Sequence, residues 1–181
     1  GESLGDHGMY LKGPYFYEAS VHVPLIASWP GKFRQGEVSD ALVELVDLAP
    51  TLLEACGLPD CAGMQGRSLY GLLTGQTPLG HFRDSVYSEY YKYNKTSGRA
   101  TLCTMVYDGR HKLTKIHTEP NTPPYGASCP GELYDLEQDP AETVNLYGRT
   151  DRSDVQLRML ELLSDRMAWI CDPLPLPRAP W

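Results

Sequence analysis

The feature that most constrains the fold is a β-hairpin pattern in residues 101–118, TLCTMVYDGRHKLTKIHT. Two arms rich in β-branched and aromatic residues flank the dipeptide Asp108-Gly109. Asp-Gly accepts the positive φ angles that a tight turn between twisted strands requires. The pattern therefore predicts two antiparallel strands joined at Asp108-Gly109.

Segments on both sides of the hairpin extend it into a small sheet. DSVYSEYY (84–91) alternates like a strand, and ELYDL (132–136) is a further strand closed by Asp139-Pro140. Residues 152–171 carry apolar side chains at spacings of three and four, which predicts an amphipathic helix; they are Leu157, Leu160, Leu163, Met167 and Cys171. The Pro-rich tail, 172–181, is predicted to be extended.

The first half of the chain gives a different pattern. Residues 1–20 are rich in Gly and Tyr without a clean period, which indicates a loop. VHVPLIASW (21–29) suits a buried strand, at a sheet edge or strand start because of its proline, and ALVELV (41–46) suits a short strand. In DLAPTLLEACG (47–57), Asp47 can cap a helix and Gly57 can end it, which predicts a helix over 47–56.

These elements predict an α/β fold class divided into two parts. Residues 1–78 are interpreted as the end of an α/β domain, and TGQTPLGH (74–81) as a linker. Residues 79–181 are interpreted as a small antiparallel-sheet subdomain, with one packed C-terminal helix at 152–171 and the Pro-rich tail.

Composition limits the classes of partner. The net charge is −7 and no basic stripe is present, which argues against nucleic acid. The apolar runs are too short to cross a bilayer. The odd count of five cysteines argues against a complete disulfide framework. One bridge, Cys56 with Cys61 or Cys103 with Cys129, stays open beside the reading of free, buried thiols. Cysteine usage does not settle the compartment.

Residues able to carry chemistry cluster near the start of the chain. Asp6 and His7 are adjacent, and Lys12 follows five residues after His7. Asp and His are ligands for divalent metal ions, and a lysine ammonium can hold a sulfate or phosphate oxygen. Each residue also has a plain structural reading, as a solvated loop group or, for Lys12, as a salt-bridge partner of Glu18.

Several linked stretches resemble one known family. GESLGDHGMYLKGPYFYEASVHVPLIASWPGKFRQG, DLAPTLLEACGLP, QGRSLYGLLTG, YDGRHKLTKI and GELYDLEQDPAETVNL occur in the order found in the sulfatase family of the alkaline phosphatase-like superfamily. The resemblance covers residues 1 to about 147. It implies the end of a sulfatase-like α/β domain followed by that family's C-terminal subdomain.

The resemblance also assigns roles to residues. Lys12 is expected to contact the sulfate and the leaving oxygen, and His7 is expected at the substrate. Family members hold the ester with a divalent cation, usually calcium and sometimes manganese or magnesium. Its ligand pair is expected immediately before Gly1, so this chain holds no certain ligand; Asp6 and His7 are the alternative. The formylglycine nucleophile, matured from C/S-x-P-S-R, is expected upstream, because no cysteine here has that context.

The resulting hypothesis is the C-terminal part of a metal-dependent sulfuric ester hydrolase, an arylsulfatase-like enzyme. The chain is expected to supply Lys12 and a cleft wall and to be inactive by itself. A sulfate ester is the expected partner, with no nucleic acid and no membrane span. A phosphonate monoester hydrolase or phosphodiesterase of the same superfamily, and a non-catalytic binding module, are the alternatives. Residue 1 does not read as a native start, so localisation is not predicted.

Overall fold

The predicted hairpin forms the centre of a four-stranded sheet with strand order β1-β2-β3-β4. The computed structural model describes residues 1–61, 63–94, 99–117 and 131–170. The strands are β1 (Val86–Asn94), β2 (Arg99–Tyr107), β3 (His111–His117) and β4 (Gly131–Asp135). The β2–β3 and β3–β4 pairs are antiparallel. The strands predicted from DSVYSEYY and ELYDL are confirmed.

Four α-helices accompany the sheet in the described residues. They are α1 (Glu18–Val21), α2 (Leu48–Ala55), α3 (Tyr70–Thr74) and α4 (Ser153–Ile170). Short 3-10 turns occur at Asp6–Gly8, Leu45–Asp47 and Thr150–Arg152. None of these described helices is long and apolar enough to span a bilayer. The predicted helices at 47–56 and 152–171 are confirmed as α2 and α4, although the C-terminal tail and Cys171 lie outside the described residues.

The hairpin turn is centred one residue later than predicted. The Asp108 amide donates to the His111 carbonyl, which leaves Gly109 and Arg110 as the two turn residues, with φ of 95° at Gly109. Asp108 Oδ1 accepts the amides of Arg110 (3.0 Å) and His111 (2.7 Å). The aspartate therefore closes the turn through its side chain, and only the glycine supplies a positive φ.

The two faces of the sheet have different roles. In register, Val106, Leu113 and Leu133 form a cross-strand row in which each residue is 0% exposed. On the opposite face, Cys103 and Met105 form a buried cluster with Phe16 of the N-terminal segment. Because side chains alternate along a strand, the N-terminal segment covers one face and the cross-strand row belongs to the other.

Helix α4 is joined to the hairpin at the β2–β3 turn. Arg158 Nη1 donates to Asp108 Oδ2 (2.6 Å), and Arg158 Nη2 lies 3.3 Å from His111 Nδ1. The buried residues of α4 are Met159 and Leu163. Leu157, which the predicted apolar stripe placed inside, is 59% exposed. The inward face of α4 is therefore rotated relative to the prediction.

The charge on Asp108 is expected to stabilise the fold at neutral pH. Burial acts to raise the pKa of Asp108, but hydrogen bonds from the His111 amide, Arg158 and the Arg110 amide outweigh it and hold the pKa below its usual 3.8. A folded-state pKa below the unfolded value means that the stabilisation is present above the unfolded pKa and is lost as the pH falls through the folded pKa. We expect D108N to have a lower Tm than the wild type at pH 7, and the difference to shrink as the pH falls below the unfolded value of 3.8 and through the lowered folded-state pKa. A Tm gap that persists at low pH would contradict this.

Cys103 is expected to be the slowest of the described thiols to react. It is 2% exposed, and burial, assisted by the charge of Glu132, raises the pKa of its thiol to about 11. At pH 8 the thiolate is therefore only about one part in a thousand. Cys56 and Cys61 are exposed, and all three are free thiols, so the bridge between Cys56 and Cys61 is not formed. Peptide mapping after N-ethylmaleimide treatment should find Cys56 and Cys61 labelled and Cys103 labelled only in denaturant; equal labelling rates would contradict this.

The chain forms two compact units. One comprises Gly1–Leu25 with Tyr87–Arg166, and the other comprises Ile26–Val86 with the described residues from Met167 onward. The first 25 residues thus group with the sheet rather than with the helices that follow them. The division into domains at residues 1–78 and 79–181 stays a prediction.

The second unit is organised around the carboxylate of Asp47, which is 0% exposed. Asp47 Oδ1 accepts from Arg83 Nη2 (2.6 Å) and the Arg67 amide (2.8 Å), and Oδ2 accepts from the Glu44 amide (2.7 Å). A Cβ on Gly66 would collide with the backbone of Val46 and Asp47, so the glycine permits this approach. Asp47 is therefore a buried node and makes no side-chain cap to α2, which corrects its predicted role.

Two predicted strands are absent from the described residues. Residues 21–29 contain the end of α1 followed by irregular chain, and residues 41–46 lead into the 3-10 turn at Leu45–Asp47. The run predicted to be buried is open to solvent, with Ile26 90% exposed. An apolar run indicates burial somewhere but does not supply a strand partner, and no described strand pairs with either segment.

Candidate functional site: the N-terminal loop and its sheet support

The N-terminal loop, residues 1–17, has an unusual backbone. Leu4 and His7 have φ of 49° and 53°, and Gly5 and Gly8 also have positive φ. The amide of Gly5 donates to the carbonyl of Met9 (2.8 Å), which closes a tight loop around the Asp6–Gly8 turn. Non-glycine residues in the left-handed region are strained and concentrate at functional sites. This strain marks the loop as a functional candidate.

His7 is held in place by an aromatic stack. Its ring lies 3.7 Å from the ring of Tyr17, at an interplanar angle of 8°. The Tyr17 hydroxyl donates to Glu132 Oε1 on β4 at 3.1 Å. The imidazole is exposed but has a fixed platform, so it can present a polar ring edge to a ligand at low entropic cost.

Burial raises the pKa of both partners in the Tyr17–Glu132 hydrogen bond. Burial, followed by the charge of Glu132, raises the pKa of Tyr17 to about 12, so the phenol remains a donor at neutral pH. Burial also raises the pKa of Glu132, which the hydrogen bond from Tyr17 partly offsets. Neighbouring Tyr134 on β4 likewise has a raised pKa because it is buried. The Tyr17 ring that supports His7 is therefore held by a hydrogen bond in which Tyr17 is the donor and Glu132 the acceptor.

Lys12 lies on the exposed part of the loop. Its backbone amide donates to Glu2 Oε1, and in the described part of the chain its Nζ has no ion-pair partner. Glu18 pairs with Lys112 and His22 instead, so the alternative of a Lys12–Glu18 salt bridge is not realised among the described residues. An unpaired ammonium on a shaped loop is available to an anionic ligand.

A buried ion-pair network holds the end of the loop at the start of α1. Lys112 Nζ on β3 contacts Glu18 Oε1 (2.7 Å) and Glu142 Oε1 (2.5 Å). The Glu18 amide donates to Glu142 Oε2 (2.8 Å). The side chains of Lys112 and Glu142 are both 2% exposed. The carboxylate of Glu142 therefore receives both the ammonium and the first amide of α1.

The described residues do not assemble a metal centre. Residues 1–61, 63–94, 99–117 and 131–170 contain no group of three or more His, Cys, Asp or Glu side chains that could hold a metal ion. Asp6 and His7 are both exposed in the 3-10 turn, and the His7 ring is stacked on Tyr17. The donor set does not fit a complete divalent-cation site, which ordinarily needs six or more oxygen ligands for calcium.

Sequence reasoning identified the loop but missed its supports. Asp6, His7 and Lys12 do lie in one loop, as their spacing required. Tyr17, Glu132 and Glu142 carried no pattern that distinguished them from surface polar residues. Lys112 did carry a signal, because a lysine stands beside Leu113 at the start of an otherwise well-patterned central strand. A charge in such a strand is a candidate for a buried ion pair.

A family model and several curated relatives identify the family of this chain. The family described as N-sulphoglucosamine sulphohydrolase, C-terminal, matches residues 5–168. The N-acetylglucosamine-6-O-sulfatase of Bacteroides thetaiotaomicron is 29% identical over 167 residues, which cover 90% of this chain and 27% of that protein. Arylsulfatase K of Gallus gallus is 34% identical over 151 residues, which cover 81% of this chain and 26% of that protein.

Solved structures give the same relationship. The structure of BT4656 in complex with its substrate D-glucosamine-2-N,6-O-disulfate matches with a TM-score of 0.76 and 26% identity, covering 97% of this chain and 34% of that chain. The phosphonate monoester hydrolase of Agrobacterium radiobacter matches with a TM-score of 0.52 and 26% identity, over 68% of this chain and 24% of that chain. In each case the present chain spans about a third or less of the relative's length.

Proposed function

This chain belongs to the family of N-sulphoglucosamine sulphohydrolase C-terminal domains, and we propose that it is the C-terminal part of a metal-dependent sulfuric ester hydrolase. The single observation that carries the proposal is the family match over residues 5–168, which includes both the Lys12 loop and the sheet that supports it. The relatives at 29% and 34% identity are sulfatases by name. Sulfated glucosamine derivatives are the favoured substrate class, because the 6-O-sulfatase and the BT4656 complex both concern such sugars.

Lys12 is the group of this chain that acts on the substrate in the proposed reaction. Displacement at sulfur moves negative charge onto the leaving oxygen. An ammonium aimed at that oxygen stabilises the transition state more than the ground state. The exposed position of Lys12 and the absence of an ion-pair partner among the described residues support this role, as does the hydrogen-bonded turn between Gly5 and Met9 in the same loop. His7, fixed on Tyr17, would contact the sugar or the sulfate beside it.

The metal and the nucleophile of the proposed enzyme belong outside this chain. The described residues do not form a divalent-cation site, so the ligand pair is proposed to precede Gly1, together with the formylglycine nucleophile. The cation, of which calcium is the favoured candidate and manganese and magnesium the alternatives, would neutralise charge on the sulfate. A chain without these groups is expected to bind substrate weakly and to hydrolyse none.

A phosphonate monoester hydrolase on the same scaffold is the second candidate. It is favoured by the structural match to the Agrobacterium radiobacter enzyme, although that match has a lower TM-score and covers less of this chain than the sulfated-sugar complex does. Both reactions place an anionic tetrahedral group against a lysine, so Lys12 serves either one. A non-catalytic binding module is the third alternative, and it is distinguished by binding without turnover.

Comparative kinetics of the full-length enzyme tests the proposal. The protein containing this chain is assayed on 4-methylumbelliferyl sulfate, on 6-O-sulfated N-acetylglucosamine and on an aryl phosphonate monoester with the same leaving group. We expect kcat/KM to be highest for the sulfate esters. A higher value for the phosphonate would favour the second candidate, and binding of all three without turnover would favour the binding module. Hydrolysis by the 181-residue chain alone would contradict the proposed upstream location of the nucleophile.

A further inference from the structure

We propose that Glu18, held by the buried ammonium of Lys112, is a positioning residue that sets the orientation of the Lys12 loop for catalysis. This inference rests on the proposed function for its catalytic part. Its structural part concerns how the sheet holds the loop, which the described contacts establish independently. Neither residue is proposed to touch the substrate.

The energetic cost of the network is the first argument for a positioning role. Lys112 is 1% exposed and its ammonium lies between the carboxylates of Glu18 and Glu142. Removing charges from water costs several kcal/mol per ion, and well-packed apolar residues are often equally stabilising. Apolar side chains in place of these charged groups would bury the same surface but would not fix the position of the start of α1. The ion pair instead fixes the direction from which Glu18 approaches the sheet.

Backbone strain at Glu142 points to the same site. Glu142 has φ of 54°, and glutamate is not a residue that ordinarily occupies the left-handed region. The Asp139 carboxylate accepts the Thr143 hydroxyl (3.0 Å) and the Val144 amide (2.8 Å), which closes the turn that contains Glu142. This strained turn directs the carboxylate at both Lys112 and the Glu18 amide. Strain of this kind persists only where the surrounding contacts over-determine it.

The last residue of the loop, Tyr17, and the first residue of α1, Glu18, are held by two adjacent strands. Glu18 is fixed by Lys112 on β3, and Tyr17 is fixed by Glu132 on β4. Tyr17 in turn carries the stacked ring of His7. Through these contacts with Tyr17 and Glu18, the sheet holds the loop that bears His7 and Lys12. Five residues separate Lys12 from Glu18, and one of them, Phe16, is buried against the sheet, so a displacement at Glu18 would reach Lys12 along a short segment of chain.

Glu18 offers an internal control because it has a second partner. Its Oε2 contacts His22 Nδ1 at 2.9 Å, but the His22 side chain is 80% exposed. An exposed pair contributes little to stability or geometry. Replacing His22 removes this contact and leaves the buried one intact, so H22A and E18A separate the two interactions of the same carboxylate.

The test uses E18A in the full-length enzyme, because this variant leaves the Lys112–Glu142 pair in place. We expect kcat to fall by about 10- to 100-fold, since small misplacements of a catalytic group have effects of this size. In a K12A background, the same substitution should lower kcat by less than about threefold, because a residue that acts through Lys12 has nothing left to position. H22A should leave kcat unchanged.

Hydrogen–deuterium exchange supplies the second readout. Peptides covering residues 9–17 should exchange faster in E18A than in the wild type, and peptides of α4 should not change. M159A, which opens a cavity at a core position 0% exposed, is the matched control: it should lower Tm without changing kcat measured below the transition. K112M combined with E142Q provides a second variant that detaches the loop without leaving a lone buried charge.

Each result decides one part of the inference. Additive losses for E18A and K12A would overturn the positioning role, since a merely structural defect is independent of Lys12. Unchanged exchange of the loop in E18A would overturn the anchor itself. If the wild type hydrolyses no sulfate ester, the proposed function fails, and the exchange data alone then decide whether Glu18 and Lys112 hold the loop.

Discussion

Replacing Lys12 by alanine in the full-length enzyme is expected to lower kcat for a sulfate ester by about 10²–10³-fold, as the loss of one preorganised oxyanion-stabilising group does elsewhere. The leaving oxygen gains its charge only as the bond to sulfur breaks, so the ammonium acts mainly on the transition state. KM should therefore change much less than kcat. Esters with poor leaving groups should suffer more than aryl sulfates, because they develop more charge on oxygen.

The control for this substitution is K32A. Lys32 is also an exposed lysine, but it lies outside the N-terminal loop, in the second compact unit. Its removal changes the net charge by the same amount and should leave kcat within about twofold of the wild type. If K12A behaves like K32A, Lys12 makes no contact with the reacting group, and the assignment of this chain's chemistry to the loop is wrong. The measurement is a pair of kcat and KM determinations on aryl and alkyl sulfates.

Replacing Asp47 by alanine is expected to destabilise the protein by about 3–5 kcal/mol, the cost of removing one partner from a buried ion pair. Asp47 is 0% exposed and satisfies Arg83 together with the amides of Arg67 and Glu44. Without it, the Arg83 side chain, which is 9% exposed, keeps one described carboxylate partner, Glu44 at 2.6 Å, and its contact with the Phe82 ring. The backbone amides of Arg67 and Glu44 also lose their acceptor.

Thermal unfolding of the full-length protein checks the Asp47 prediction. For a protein of 150–250 residues, each kcal/mol shifts Tm by about 2–4 °C, so a drop of about 6–20 °C is expected for the transition of this part of the enzyme. D40A is the matched control, because Asp40 is exposed in the same unit; surface substitutions of this kind stay within about 0.5 kcal/mol. A Tm for D47A equal to that of D40A would falsify the description of Asp47 as the node of this unit.

The parts of the fold that could be predicted are those determined by residues close together in the sequence. The β2–β3 hairpin was predictable because a glycine that accepts positive φ and two β-rich arms lie within 18 residues. Helix α2 was predictable from its apolar spacing and the glycine that follows it. The turn is shifted by one residue because Asp108 pairs with His111 through its backbone amide, while its carboxylate also accepts the amides of Arg110 and His111. Side-chain hydrogen bonds of this kind are not visible in hydrophobic periodicity.

The wrong predictions share a non-local cause. Residues 21–29 have the apolarity of a buried strand, but pairing depends on which chain segment lies alongside, and no described strand does. Leu157 fits the apolar spacing of α4 and is nevertheless exposed. The surface against which α4 packs determines which face of the helix is buried. Asp47 occupies the N-cap position of a helix, but its carboxylate accepts hydrogen bonds from Arg83 and from the Arg67 amide and is buried.

The sequence by itself determined the hairpin, helices α2 and α4, and the grouping of Asp6, His7 and Lys12 in one loop, because each depends on residues that are close in the chain. It also determined the family, because the family's motifs occur in a fixed order. Only the tertiary structure decided which charges are buried. Lys112 lies 94 residues from Glu18 in the chain and within 2.7 Å of it in space. The free energy of a buried charge depends on the partners that surround it, and those partners are brought together by the folded sheet.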